Sequence, residues 1–196
     1  KSFFKFGDSS YIDHLCIYNL IPNFAIKFNI ALVVWGENMY FEYGGKKKKS
    51  IQRTQNSKLI NKHHILKNHL AEKWLSRNIS KKDLSSFSTP NEKKLKAIKY
   101  EPIYLGYYFP WDIKQNYKIA KKVGFRARES GPIMGLYSES DVDCMNIVIH
   151  HYFKWLKFGF NRVTDHASNE IRKKRLSRDK AVKLISKFDG LKPPKE

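Results

Sequence analysis

The sequence has few cysteines and no long apolar run, and both shortages limit what kind of protein it can be. Its 196 residues include only Cys16 and Cys144, and neither belongs to a CxxC pair. This excludes a disulfide framework and favours a reducing compartment such as the cytoplasm. No apolar stretch approaches the ~20 residues that a membrane-spanning helix needs, so we expect no membrane span.

Arginine is scarce, although the chain is strongly basic. Of the 38 basic residues, 30 are lysine and eight are arginine, and the formal net charge is +20. Arginine is the favoured reader of bases and phosphates, so this balance argues against a nucleic-acid ligand. The excess lies mainly in residues 46–100, with a net charge of +13, against −1 for residues 1–45 and +8 for residues 101–196. The +13 segment keeps an RNA-binding module open as an alternative.

Histidines with metal-ligand spacing are also missing. His63, His64 and His69 have no partner at such a spacing, so we interpret them as surface residues. Cys144 beside Asp143 is a weak candidate ligand pair, and no metal site is predicted. Residues 46–100 are interpreted as a Lys-rich helical insertion or linker.

A short apolar run carries the main prediction of a sheet. Residues 30–35, IALVVW, are typical of a buried parallel strand, because such strands are covered on both faces. Open α/β sheets place ligands beyond the carboxyl ends of their strands. Glu37, Asn38 and Glu42, which follow this run, are therefore candidate site residues.

Several helices are predicted from capping residues and apolar spacing. Residues 11–28 should be helical on either side of a turn or kink at Pro22. Asp112 should cap a helix that runs to Val123 and is closed by Gly124. Residues 145–158 should form an apolar helix buried on more than one side, on which His150 and His151 are packed, hydrogen-bonded side chains. Ser177 should cap a helix that runs to Phe188.

The stretch 157–172, KFGFNRVTDHASNEIR, is unusually dense in polar groups. Thr164 or Asp165 is suited to cap a helix there. Asp165, Asn169 and Arg172 would then lie on one face, which suits a polar and even an anionic ligand. The alternative is an amphipathic helix with an ordinary exposed charged face.

Together with other stretches, this one resembles a known family. KFGFNRVTDHASNEIR and residues 176–190, LSRDKAVKLISKFDG, are similar to the C-terminal signature of the bacterial N-acetyl sugar amidotransferases. These are PP-loop enzymes of surface-polysaccharide and nonulosonic-acid biosynthesis. Further similar stretches are WGEN and EYGG within residues 35–45, YYFPWD at 107–112, and residues 141–159.

The departures from the family concern its N-terminal half. The family's SGGKDS-type ATP loop and its N-terminal cysteine cluster do not occur in this sequence. By resemblance, the chain begins about halfway through the full enzyme. Asn161 and Lys174 stand where relatives often have glycine.

The resemblance implies an α/β fold in three parts. Residues 1–45 would be the C-terminal part of a PP-loop (adenine nucleotide alpha hydrolase-like) parallel sheet. Residues 46–100 would be an insertion, and residues 101–196 a mainly helical substrate region.

The implied reaction is an ATP-dependent amidine synthesis. The N-acetyl carbonyl oxygen of a nucleotide- or nonulosonic-type sugar is adenylylated with ATP and Mg²⁺, and ammonia from a partner glutaminase then displaces AMP. Glu37, Asn38 and Glu42 would orient the substrate, bind Mg²⁺ or steer ammonia. The implied substrate-binding residues are Lys157, Arg162, Asp165, His166, Asn169 and Arg172.

Two other functions remain open. The chain could be the RNA-binding tail of a PP-loop tRNA-modifying enzyme, with residues 46–100 as its electrostatic footprint. It could also be a non-catalytic truncated fragment.

Overall fold

The computed structural model describes residues 2–36, 38, 52–55, 71–142 and 144–193. The fold is mixed α/β, with mostly helices and one small parallel sheet. The helices are α1 (Ser2–Phe6), α2 (Tyr11–Phe28), α3 (Glu92–Ala97), α4 (Leu105–Tyr108), α5 (Ile113–Lys122), α6 (Asn146–Phe158), α7 (Arg162–Arg172) and α8 (Arg178–Phe188). The strands are β1 (Leu32–Trp35) and β2 (Glu101–Tyr104), and short 3₁₀ helices span Ala71–Trp74 and Ser85–Phe87.

The described residues form two compact units. One contains residues 2, 10–36, 38, 52–55 and 71–109, and the other contains residues 3–9, 110–142 and 144–193. Among the described helices, none combines the length and the apolar character that crossing a membrane requires.

The predicted parallel strand forms, but it is not buried. β1 pairs in parallel with β2, with Leu32 opposite Glu101. The side chains of Leu32 and Val34 are 54% and 51% exposed, so the prediction of a strand covered on both faces is wrong here. The described part of the chain supplies only one partner strand, and an apolar pattern does not reveal what covers it.

Helix α2 is continuous through Pro22, so the chain makes no turn at that proline, and the alternative of a kink stays a prediction. Proline removes one backbone donor, but the buried face of α2 remains in register on both sides of it. Its buried residues are Tyr11, Leu15, Asn19, Pro22 and Ala25. Phe28, the last residue of α2, is 57% exposed. The side-chain amide of Asn23 donates to the carbonyl of Ser88 at 2.9 Å. This bond attaches the segment that follows the 3₁₀ helix Ser85–Phe87 to α2.

The predicted caps of two helices in the second unit are confirmed. Asp112 caps α5 by accepting from the amides of Lys114 and Gln115, and Gly124 follows that helix with a φ of 98°. Ser177 caps α8 by accepting from the amide of Lys180.

The burial predicted for α6 is wrong. Only Val148 and His151 on this helix are buried, whereas Leu156 and Phe158 are 53% and 67% exposed. Helix α6 therefore carries more apolar side chains than its one buried face can hold.

Candidate functional site

The N-cap of helix α7 is Asn161, three residues before Thr164, the earlier of the two predicted caps. The side-chain oxygen of Asn161 accepts from the amide of Val163 at 3.0 Å, and its Nδ2 donates to the carbonyl of Phe188 at 3.3 Å. Asn161 is fully buried, so it anchors the start of α7 beside the end of α8. Asparagine is a strong capping residue, and the predicted caps at Thr164 and Asp165 are therefore wrong.

The early start of α7 determines which side chains point inward. Residues at positions i, i+3 and i+4 lie on the same face of a helix, and this face of α7 points into the interior. The buried residues of α7 are Arg162, Val163, His166, Ala167, Asn169 and Glu170. Polar side chains make up most of this face, which is unusual for a packed helix face.

Four of the buried or half-buried polar side chains gather in one place, and we call Asp141, His151, Arg162 and His166 the polar cluster. Oδ2 of Asp141 accepts from Nε of Arg162 at 3.2 Å. Oδ1 of Asp141 lies 3.8 Å from Nε2 of His151, which is beyond hydrogen-bond distance. The histidines are each 4% exposed, and Arg162 is 9% exposed.

Asp141 reaches the cluster from a strained backbone position. Its φ is 56°, in the left-handed region that aspartate tolerates better than most residues. Nη2 of Arg128 donates to the Asp141 carbonyl at 2.7 Å and holds this loop in place. Burial alone would raise the pKa of the Asp141 carboxyl, but the nearby His151 and the charge of Arg162 outweigh it and lower the pKa to about 2. Asp141 is therefore a carboxylate at neutral pH.

His166 is held as a neutral ring. Its Nδ1 accepts from the backbone amide of Leu136 at 3.0 Å, so the neutral tautomer carries its proton on Nε2. Burial, together with the charge of Arg162, lowers the pKa of His166 to about 3. The ring of Tyr137 lies 4.4 Å from the ring of His166, centroid to centroid.

His151 is neutral at pH 7 for a similar reason. Burial lowers the pKa of its ring, and this effect outweighs the opposing influence of Asp141. The polar cluster thus combines one carboxylate, one guanidinium and two uncharged imidazoles. Such perturbed groups are a frequent mark of functional sites.

A second network supports the polar cluster from the other side of Tyr137. Oε1 of Glu170 accepts from the Tyr137 hydroxyl at 2.5 Å and from Nη2 of Arg175 at 2.6 Å, and Oε2 accepts from Nε of Arg175 at 2.9 Å. The Nζ of Lys114 lies 2.9 Å from Oε2. The Arg175 bonds lower the pKa of Glu170 to about 2 despite its burial. Glu170 therefore fixes Tyr137, whose ring packs against the ring of His166.

Only two of the candidate residues from the sequence, Arg162 and His166, meet in the polar cluster. Asp165 pairs with Lys154, with Nζ 2.6 Å from Oδ2. Lys157 is exposed, and its Nζ donates to the carbonyls of Phe6 and Gly7.

The remaining candidates lie elsewhere. Asn169 is buried, and the Arg172 side chain is exposed. Asn38 is buried in the other unit. Glu37 and Glu42 lie outside the described residues.

The sequence interpretation missed Asp141 and His151 as site residues. Asp141 entered only as the first residue of the resembling stretch 141–159, and His151 was interpreted as a packed, hydrogen-bonded side chain. One signal was present: His151 follows Val148 by three residues, so it shares the buried face of α6. A titratable ring on a buried apolar face requires a polar environment, and Asp141 supplies it.

The described residues offer no metal centre in or near the site. Cys144 is exposed. Within the described ranges, no group of three His, Cys, Asp or Glu side chains is placed to hold a metal ion.

The region that contains the polar cluster is similar to a known family. Residues 114–196 match the family model described as LPS biosynthesis protein WbpG-like, C-terminal domain. None of the curated proteins matches the chain. The matched range includes α6, α7, α8 and every residue of the polar cluster. The C-terminal region of this chain is therefore similar to the C-terminal domain of WbpG-like proteins, which broadly supports the family resemblance expected from its sequence.

Proposed function

We propose that this chain is the C-terminal, substrate-side part of an ATP-dependent sugar amidotransferase in lipopolysaccharide biosynthesis. It would convert a sugar N-acetyl group to an acetamidino group, for an O-antigen or a nonulosonic acid, with ammonia from a glutaminase subunit. The observation that carries the proposal is the polar cluster. It unites residues of the two stretches 141–159 and 157–172 that resemble the family, within the range that matches WbpG-like proteins.

The chemistry of the polar cluster suits a polar, uncharged substrate group. An amide carbonyl is a poor electrophile, and adenylylation by ATP would turn its oxygen into a leaving group. Arg162, fixed by Asp141, offers a positioned guanidinium for an oxygen of the substrate. Neutral His151 offers a ring nitrogen that can accept a proton. Such preorganised groups stabilise developing charge without having to reorganise.

The residues of the polar cluster do not fit ATP itself. The one cation of the polar cluster, Arg162, is already paired with Asp141, whereas the phosphates of ATP carry several negative charges. The described residues also hold no group of metal ligands suited to Mg²⁺. We therefore assign no step through ATP to these side chains, and the proposed role of this region is limited to the sugar. A PP-loop sheet that includes β1 remains part of the proposal.

Deletion of the gene in its own strain tests the proposed function. We expect the surface polysaccharide to lose its acetamidino sugar and to carry the acetamido form instead, as measured by mass spectrometry of the released sugars. A plasmid copy of the gene should restore the acetamidino form. An unchanged acetamidino content in the deletion strain would refute the proposal. Profiles of modified tRNA nucleosides from the same cells would then show whether the tRNA-modifying alternative holds.

A further inference from the structure

A small cavity lies beside the polar cluster, between α6 and the loop that precedes it. Its volume is about 10 Å³. Space of this size corresponds to about one water molecule. Its lining includes Arg128, Ser140, Asp141, Ile147, Val148 and His151.

Polar atoms without hydrogen-bond partners among the described residues line this cavity. They are both ring nitrogens of His151 and the hydroxyl oxygen of Ser140. His151 is 4% exposed, so bulk water does not satisfy its ring. Buried polar atoms in proteins are nearly always hydrogen-bonded, and small enclosed molecules commonly provide the missing bonds.

The charges around the cavity favour a neutral occupant. Asp141 supplies one negative charge, and the guanidinium of Arg162 already balances it. Arg128 adds a second positive charge, because its Nη2 donates to the Asp141 carbonyl. A cation would therefore meet net positive charge in this cavity. An anion would have little room and would face the neutral ring of His151.

We propose that this cavity is a binding site for one small neutral molecule that both donates and accepts hydrogen bonds, of the size of water or ammonia. A neutral imidazole has one donor and one acceptor nitrogen, and the Ser140 hydroxyl can act either way. The molecule therefore bridges His151 and Ser140 without any change of charge.

The ammonia form of the proposal rests on the proposed function, in which ammonia is the nucleophile. A site lined by Asp141 and His151 would then hold the nucleophile next to Arg162, the guanidinium assigned to the sugar. The water form requires no assumption about the reaction. Both share the same chemistry, and a direct measurement separates them.

Nuclear magnetic resonance on the whole chain tests the proposal. Signals from the His151 ring and from the methyl groups of Ile147 and Val148 would be followed during titration with ammonium chloride at mildly alkaline pH. We expect a saturable shift of these signals if ammonia binds. If water is the stable occupant, we expect instead a nuclear Overhauser contact between a long-lived water and the His151 ring, with no response to ammonia.

Matched salts and variants make the test specific. Sodium chloride lacks the nucleophile, and methylammonium chloride supplies an amine that is too large for the cavity. His151→Phe keeps a ring but removes both nitrogens, and Ser140→Ala provides a gentler change if His151→Phe does not fold. Both should abolish the response of the methyl signals, whereas His150→Phe, on the same helix outside the cavity, should retain it.

Two results would overturn the proposal. One is the absence of both the ammonia shift and the water contact in the parent chain. The other is an equal response to sodium chloride or to methylammonium chloride, since neither matches a small neutral occupant. The readout does not depend on activity. A negative result therefore rejects the cavity site while leaving the sugar analysis of the deletion strain to judge the proposed function.

Discussion

Gly135 shows how closely one residue of the loop approaches the polar cluster. A Cβ built at this position would lie 2.6 Å from Cε1 and Nδ1 of His166. Real Cβ atoms do not approach so closely, so either the loop or the ring must move to accept any larger residue. The same ring nitrogen accepts from the amide of Leu136, and that bond would be disturbed.

Gly135→Ala should therefore destabilise the protein by about 1–3 kcal/mol, the usual cost of overpacking. Urea unfolding followed by circular dichroism measures this change. Gly36→Ala is the matched control, because a Cβ there meets nothing within 4 Å. Equal stabilities of the two variants would show that Gly135 does not touch the His166 ring.

Protonation of His166 should lower the free energy of unfolding at acidic pH. Its folded pKa of about 3 lies below the ordinary value of 6.5, so the unfolded chain binds the proton more tightly. The free energy of unfolding should therefore fall as the pH drops from 6.5 towards 3, with a slope of about 1.4 kcal/mol per pH unit from this residue. Asp141 and Glu170, whose folded pKa values are lowered to about 2, add a further loss below pH 4.5.

Asparagine at position 166 can mimic the acceptor Nδ1 but does not titrate. Between pH 6 and 4, the free energy of unfolding of His166→Asn should therefore fall less steeply than that of the parent. The two slopes should differ by up to about 1.4 kcal/mol per pH unit, which corresponds to one proton. Urea unfolding at a series of pH values gives both slopes. Parallel slopes would mean that His166 titrates normally in the folded protein.

At the scale of elements, helix ends were more predictable than burial. Asp112 and Ser177 cap their helices as expected, because capping depends on a few neighbouring atoms. At α7 the predicted caps were Thr164 and Asp165, but the contact of Asn161 with the carbonyl of Phe188, distant in sequence, favours Asn161. The exposure of Leu32 was not predictable, because burial depends on partners that a local apolar pattern does not contain.

Helix α7 ends in a Schellman motif that lacks the usual glycine. The amide of Arg175 donates to the carbonyl of Glu170, and the amide of Lys174 donates to that of Ile171. Lys174 occupies the left-handed position with a φ of 57°. The proteins that the sequence resembles often have glycine at this position. A side chain in this conformation has a steric cost that glycine avoids.

Lys174→Gly should therefore stabilise the protein by about 0.5–1 kcal/mol. The midpoint of urea unfolding would rise without a change in slope. Lys174→Ala removes the same charge but keeps the Cβ, and it should give no comparable gain. If alanine stabilises as much as glycine, the gain comes from charge and not from the backbone.

For the whole molecule, the family resemblance indicated a class of substrate, which the chemistry of the residues alone did not. Composition and charge argued against a membrane span and against a nucleic-acid ligand, but they did not name a substrate. Asp141 and Arg162 belong to two of the resembling stretches and lie 21 residues apart in sequence, and they meet through an ion pair. Spacing along the chain could not reveal this pairing, because it depends on how the loop before α6 folds back onto α7.

The central claim is that the polar cluster handles the sugar in a sugar-amidating protein. Its most direct test is a chromosomal Arg162→Lys allele, since lysine keeps the charge beside Asp141 but not the planar geometry of the guanidinium. Immunoblots and thermal unfolding would verify that the variant protein accumulates and folds, and Lys183→Ala on the exposed face of α8 serves as the control. The account predicts at least about a tenfold loss of acetamidino sugar in the Arg162→Lys strain, as expected when a charged hydrogen bond is lost, and none in the control. Parental levels of acetamidino sugar with a folded Arg162→Lys protein would contradict it.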